Sequence, residues 1–176
     1  TSLGDLNFAI EGRPVLDGEP KPRADWQAVT PGYFAAMDLR LVEGRLLDGT
    51  DRVGAPGAVV ISRSTAERYW PGASALGQRF TLGGGAGPGV VSVVGVVEDV
   101  RHSALTDGPV TQMYLPHAQF RFWNGGSVVR VLSLVLRTDG TEPLSMVPAL
   151  RAEVQRLGPR IPVSEVRTMA EVRRAS

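Results

Sequence analysis

The chain contains no cysteine. That excludes disulfides, thiolate metal sites and a cysteine nucleophile together. It does not assign a compartment, because cysteine-free proteins occur in both redox environments. Lysine is scarce as well: Lys21 is the only one, and arginine supplies the rest of the 19 basic residues. Against 18 acidic residues the formal net charge is +1. There is therefore no basic excess of the kind that marks a nucleic-acid binder. His102 and His117 are the only 2 histidines, fewer than the three protein ligands a catalytic zinc usually takes. No apolar run approaches the roughly 20 residues a membrane span requires, since Val90–Val97 and Val128–Leu136 are interrupted by Ser92, Gly95, Arg130 and Ser133. Thr1–Ile10 lacks the basic stretch and apolar core of a signal peptide. What remains is ordinary: 176 residues, 43% hydrophobic and 21% charged. That is enough chain to bury a core without a metal or disulfide.

Local patterns predict a mixed α and β fold. Residues 3–10 alternate partly and read as a first strand; residues 11–24, with Gly12, Pro14, Gly18, Pro20 and Pro22, read as a loop. Thr30-Pro31 is a helix start signal, a hydroxyl cap followed by a proline whose missing N–H costs nothing there. Tyr33, Phe34 and Met37 then share one helical face. Residues 39–47 read as a strand weakened by Gly44, and 49–57 as a boundary loop. Ala58–Ile61 is a short buried strand, and Ser62 or Ser64 caps the helix after it, Ser64 with Glu67 fitting a reciprocal capping box. Pro71-Gly72 ends that helix. Gln78–Leu82 and Val90–Val97 form a hairpin across Gly83–Gly89, and Val110–Leu115 adds a strand. Phe120–Gly126 reads as a second boundary and Ser127–Arg137 as a long β-branched strand. Thr141–Leu157 carries an apolar helical stripe of Leu144, Val147, Leu150, Val154 and Leu157, with Pro148 confined to the first turn of the regular helix. Val163–Val166 reads as a last strand. Thr168 with Glu171 forms a capping box for a final helix, read either as the start of a longer stalk or as a terminal turn.

The chemistry-bearing residues are few. Glu98, Asp99 and His102 form the best reactive cluster, with Asp99 and His102 at a spacing that would share one face of a helix. They follow a buried strand into a turn, where a solvated charged turn explains them better. His117 has no acidic residue within four positions. No serine sits in a Gly-x-Ser-x-Gly elbow, so an exposed nucleophile is not expected. The run Gly83-Gly84-Gly85-Ala86-Gly87-Pro88-Gly89 has the glycines of a phosphate cradle. It lacks the lysine and leads into a strand instead of a helix, so it reads as a hairpin tip. Phe120, Phe122 and Trp123 need burial, either between lobes or on a partner. No catalytic residue, cofactor or metal is expected.

A set of segments in order along the chain resembles the periplasmic core domain of MacB-like ABC-transporter permeases, of the FtsX-like permease family. They are Val29-Thr30-Pro31-Gly32-Tyr33-Phe34, Leu41-Val42-Glu43-Gly44-Arg45, Val59-Val60-Ile61-Ser62, Ala66-Glu67-Arg68-Tyr69-Trp70-Pro71-Gly72 and Leu76-Gly77-Gln78-Arg79-Phe80. Val93-Val94-Gly95-Val96-Val97-Glu98-Asp99-Val100-Arg101-His102, Met113-Tyr114-Leu115-Pro116 and Val166-Arg167-Thr168-Met169 complete the set. The resemblance implies an α+β fold of two lobes. A discontinuous porter-like α/β lobe would take residues 1–56 and 127–176, and an inserted mixed-β sabre-like lobe residues 57–126. It further implies a non-catalytic extracytoplasmic domain between membrane helices of a parent permease. A separate ATPase domain or subunit would drive it. A periplasmic substrate, adaptor, lipoprotein or cell-wall enzyme would receive the motion. The isolated domain is expected to be monomeric. Two other readings stand beside this one: a free-standing secreted binding module, and a small metal-dependent hydrolase built on Asp99 and His102.

Overall fold

A computed structural model describes residues 4–16, 18–83, 89–100, 110–119 and 131–174. Two compact units divide the chain between Val135 and Leu136.

The first unit is built on one mixed sheet of seven strands. These are β1 (Asp5–Ile10), β2 (Arg23–Val29), β3 (Leu41–Gly44), β4 (Gly57–Ser62), β5 (Arg79–Leu82), β6 (Val90–Val97) and β7 (Gln112–Pro116). Helix α1 (Tyr33–Ala36) precedes β3, and α2 (Arg63–Tyr69) follows β4. In spatial order the strands run β3-β6-β4-β7-β2-β1-β5, and β5 pairs back onto β6. Six strands therefore close a ring, leaving β3 as an appended strand on β6. Closure removes sheet edges that would otherwise expose unpaired backbone groups. The β5–β6 hairpin forms in the expected place, with Phe80 opposite Val91.

Period-2 alternation sorts the side chains. All six ring strands contribute to one core: Phe8 and Ile10 from β1, Ala24 from β2, Val59 and Ile61 from β4, Phe80 and Leu82 from β5, Val91 and Val93 from β6, and Met113 and Leu115 from β7. Tyr69 and Trp70, at the end of α2, pack into it. Ala58, Val60, Val97 and Tyr114 face the other way, into a second core with Val29, Phe34, Leu39 and Leu47. The sheet thus carries apolar packing on both faces, which explains why Ala58–Ile61 reads as a continuous apolar run.

Local signals hold with shifts. Helix α1 begins two residues later than Thr30-Pro31 indicates, with Gly32 at the N-cap and no side-chain cap. Its end is a Schellman motif: Leu39 N–H bonds Phe34 O at 2.9 Å and Asp38, at φ 55, takes the left-handed position. The cap of α2 is Ser62, whose Oγ accepts from Thr65 N at 3.3 Å. Ser64 lies inside the helix and is not the cap, so the Ser64–Glu67 box does not form. Gly44 is required by contact as well as by its φ of +78°, because a Cβ there would lie 2.3 Å from Val94 O. Gly95 is tighter, with a Cβ position 2.0 Å from Arg45 O.

The second unit holds a 3-10 turn at Pro143–Met146, α3 (Val147–Leu157) and α4 (Met169–Arg174). Glu142 caps the turn, and, as expected, Pro148 falls at the start of α3. The Thr168–Glu171 capping box is fully formed: Thr168 N–H donates to Glu171 Oε2 at 2.7 Å, and Glu171 N–H to Thr168 Oγ1 at 3.2 Å.

Three sequence expectations change. The boundary at residue 56 does not separate two sheets, because β2 pairs in parallel with β7 over five residue pairs, β1 pairs with β5, and β3 with β6. Those hydrogen bonds join residues on both sides of 56 into one ring. Residues 131–137 form no strand among the described residues, and residues 163–166 form none either. A strand exists only through a paired neighbour, and β-branched composition alone does not supply one. Residues 127–130 and the boundary segment 120–126 lie outside the described residues.

Candidate functional site

The strand β6 delivers Glu98 and Asp99 to one end of the sheet, beside the first turn of α2. Adjacent positions on an extended chain diverge, and these two do. Glu98 is exposed and pairs loosely with Arg63 at 3.7 Å. Asp99 turns inward: its Oδ1 accepts from Ser64 Oγ at 2.7 Å and from Ser64 N–H at 3.0 Å. Ser64 Oγ also lies 3.1 Å from Val110 O. Behind it, Ser62 Oγ and Thr65 Oγ1 sit 2.8 Å apart, and both accept from Gln112 N–H, at 3.1 and 2.8 Å. Ser62, Ser64 and Thr65 are all buried.

This arrangement is structural hydrogen bonding. A serine nucleophile needs a base that takes its proton, usually an imidazole between hydroxyl and carboxylate. Here the hydroxyl donates straight to Asp99, and the backbone N–H of the same serine occupies the same oxygen. His102, the other half of the candidate pair, lies outside the described residues. So do Phe120, Phe122 and Trp123, and the glycine positions 84–88.

His117 sits in a 3-10 turn after β7 and lines a small cleft with Thr30, Leu47, Asp48 and Asp51. Folding thus brings two carboxylates toward a histidine that has no acidic neighbour in sequence. Both carboxylates are hydrogen-bonded within their own loop. Asp51 is 4% exposed and receives Arg45 through two bonds of 2.8 Å and Asp48 N–H at 2.9 Å. The Arg45 guanidinium holds the Asp51 carboxyl below the usual range against the opposing effect of burial. Asp48 is held low by hydrogen bonds from Thr50. Among the described residues no group of three or more His, Asp or Glu is placed to bind a metal.

Two buried polar anchors escaped the sequence reading. Asp51 lies in a stretch that reads as a boundary loop. Gln119, 2% exposed, accepts from Ala58 N–H at 3.3 Å and donates to Pro56 O at 3.0 Å, tying the same loop to β4. A third feature is aromatic: Tyr33, Phe34 and Tyr114 form a triangle with centroids 5.5–5.9 Å apart. Burial raises both phenols, and Tyr114 OH, donating to Gln112 Oε1 at 2.7 Å, is raised strongly. A surface groove at Gly49–Ala55 lies beside that small cleft, and Gly49 lines both.

The family model of the MacB-like periplasmic core domain matches residues 9–157. The chain belongs to this family. Among solved structures, the periplasmic region of MacB from Actinobacillus actinomycetemcomitans superposes with a TM-score of 0.59 at 17% identity, over 88% of this chain and 63% of that one. A domain from Porphyromonas gingivalis, assigned as a permease protein, gives 0.50 at 18% identity over 99% and 83%. The extracellular domain of the noncanonic ABC-type transporter YknZ from Gram-positive bacteria aligns over 72% of this chain and 60% of that one at 21% identity, with a TM-score of 0.47. At these identities the superpositions speak to fold, and the chain spans less than two thirds of the MacB periplasmic region. No curated protein matches it in sequence. Among the described residues no helix is long and apolar enough to cross a membrane.

Proposed function

We propose that this MacB-like domain is a non-catalytic, extracytoplasmic part of an ABC-transporter permease. In this reading it carries ATP-driven motion from a separate ATPase domain or subunit to a periplasmic substrate or partner protein. The observation that carries the proposal is the family match over residues 9–157. The ring-closed sheet supports it. Hydrogen bonding between all ring neighbours, with packed cores on both faces, makes a body that shifts as a unit in preference to deforming. The polar clusters are saturated by internal hydrogen bonds, which suits a transmitting element better than a reactive one. On the same reading, the β1–β7 unit corresponds to the sabre-like lobe, and residues 136–176 to the C-terminal part of the porter-like lobe. The test is replacement of residues 9–157 by a flexible linker in the parent permease, reconstituted with its ATPase. ATP hydrolysis should persist while transport or partner activation is lost. Full retention of that output would overturn the proposal.

A further inference from the structure

We infer that Ser64 is a two-point clip that fixes the separation of the stems of the excursion between β6 and β7. One side chain, 6% exposed, reaches both stems: the single Oγ–H proton is shared between Asp99 Oδ1 at 2.7 Å on the outgoing side and Val110 O at 3.1 Å on the returning side. The Ser64 N–H adds a second bond to Asp99 at 3.0 Å. The backbone close to each stem is also held. Glu98 N–H donates to Arg40 O at 2.9 Å, and Gln112 N–H is shared by Ser62 Oγ and Thr65 Oγ1.

Geometry makes this a positioning device. β6 and β7 are not neighbours in the sheet, because β4 lies between them. No ladder hydrogen bond joins β6 to β7 directly: each pairs with β4, as far as Val97 on one side and from Met113 on the other, and Asp99 and Val110 lie beyond those pairings. The first turn of α2, which continues directly from β4, fills that gap and holds both. The inference stands apart from the transport reading, since it concerns only how the isolated fold holds its own stems.

The natural lack of cysteine permits a direct test. Nitroxide labels at Glu98→Cys and Val110→Cys, both exposed positions, report the stem separation by dipolar electron paramagnetic resonance. A control pair at Arg79→Cys and Val90→Cys, also exposed, reports the β5–β6 hairpin. The stem distribution should be narrow in the otherwise unchanged chain. It should widen about twofold with Ser64→Ala, while the control pair keeps its width. Asp99→Ala, which removes the bridge from the other side, should widen the stem pair too. The double variant should widen it no more than the larger single effect, because both changes cut one bridge. A stem distribution unaffected by Ser64→Ala refutes the clip. So does equal widening of the control pair, which would mark Ser64 as a general contributor to stability.

Discussion

Replacing Asp51 by Asn should destabilise the domain far more than its place in a surface loop implies. The carboxylate accepts three hydrogen bonds, two from Arg45 at 2.8 Å and one from Asp48 N–H at 2.9 Å, with 4% of the residue exposed. An amide of the same size cannot replace it. Oδ2 takes Arg45 and Asp48 N–H while Oδ1 takes the other arginine nitrogen, so an NH2 group in either place meets a donor. Breaking a buried ion pair costs about 3–5 kcal/mol, and hydrogen bonds to charged groups contribute about 1.5–3 kcal/mol. Arg45 is 46% exposed and regains water when released, which lowers the cost. We expect about 2–3 kcal/mol by urea denaturation at pH 7, or roughly 4–12 °C in Tm for a chain of this size. The sign with pH follows from the carboxyl being held low in the fold. The pair stabilises fully above the unfolded value of about 4 and is lost as pH falls through the lower folded value. The gap between parent and Asp51→Asn should therefore narrow below about pH 4. A loss under about 1 kcal/mol, or a gap that persists unchanged at low pH, would refute the reasoning.

Gly95→Ala should cost about 3 kcal/mol or more, because the new Cβ meets backbone at Arg45 O instead of a side chain that can turn away; near-parental stability in urea would contradict the close approach. Phe34→Ala, at a fully buried site, should cost about 3–5 kcal/mol, and a loss below about 1 kcal/mol would mean that α1 does not pack as described. In an ultraviolet alkaline titration Tyr114 should stay protonated until the fold opens, because burial raises its phenol. The stability it contributes is present below the unfolded value of about 10 and declines above it. Three phenols ionising together near pH 10 in the folded chain would show the opposite.

What could be read in advance depended on the range of the interactions. The β5–β6 hairpin, the buried strand Gly57–Ser62, the Pro148 position and the Thr168–Glu171 box are all set by neighbours within a few residues. Periodicity and capping chemistry therefore located them. The ring closure depends on β2 meeting β7 and β1 meeting β5, contacts with no local signal, so a loop rich in glycine at residue 56 reads as a boundary. Asp51 and Gln119 were missed for the same reason: each is polar, each sits in a loop, and only the fold shows that each is buried and bonded. Ser64 had the right residue type for a cap and the wrong position, since Ser62 is where the chain leaves β4. The candidate reactive residues divide by environment: Asp99 is taken by Ser64, and His117 lines a cleft with Asp48 and Asp51, which are bonded to their own neighbours.

The most direct test of the account asks whether this domain moves as a body when ATP binds. In the parent permease, labels at the exposed residues Leu16 and Val53 report the interior geometry of the domain. A third label on a membrane-embedded segment of the same permease reports its placement. Nucleotide binding to the ATPase should shift the distance from Val53 to the membrane label by several ångströms, on the order of a helical turn, and leave the Leu16–Val53 distance unchanged. A fixed distance to the membrane label, or a change confined to the Leu16–Val53 pair, would contradict transmission by a rigid domain.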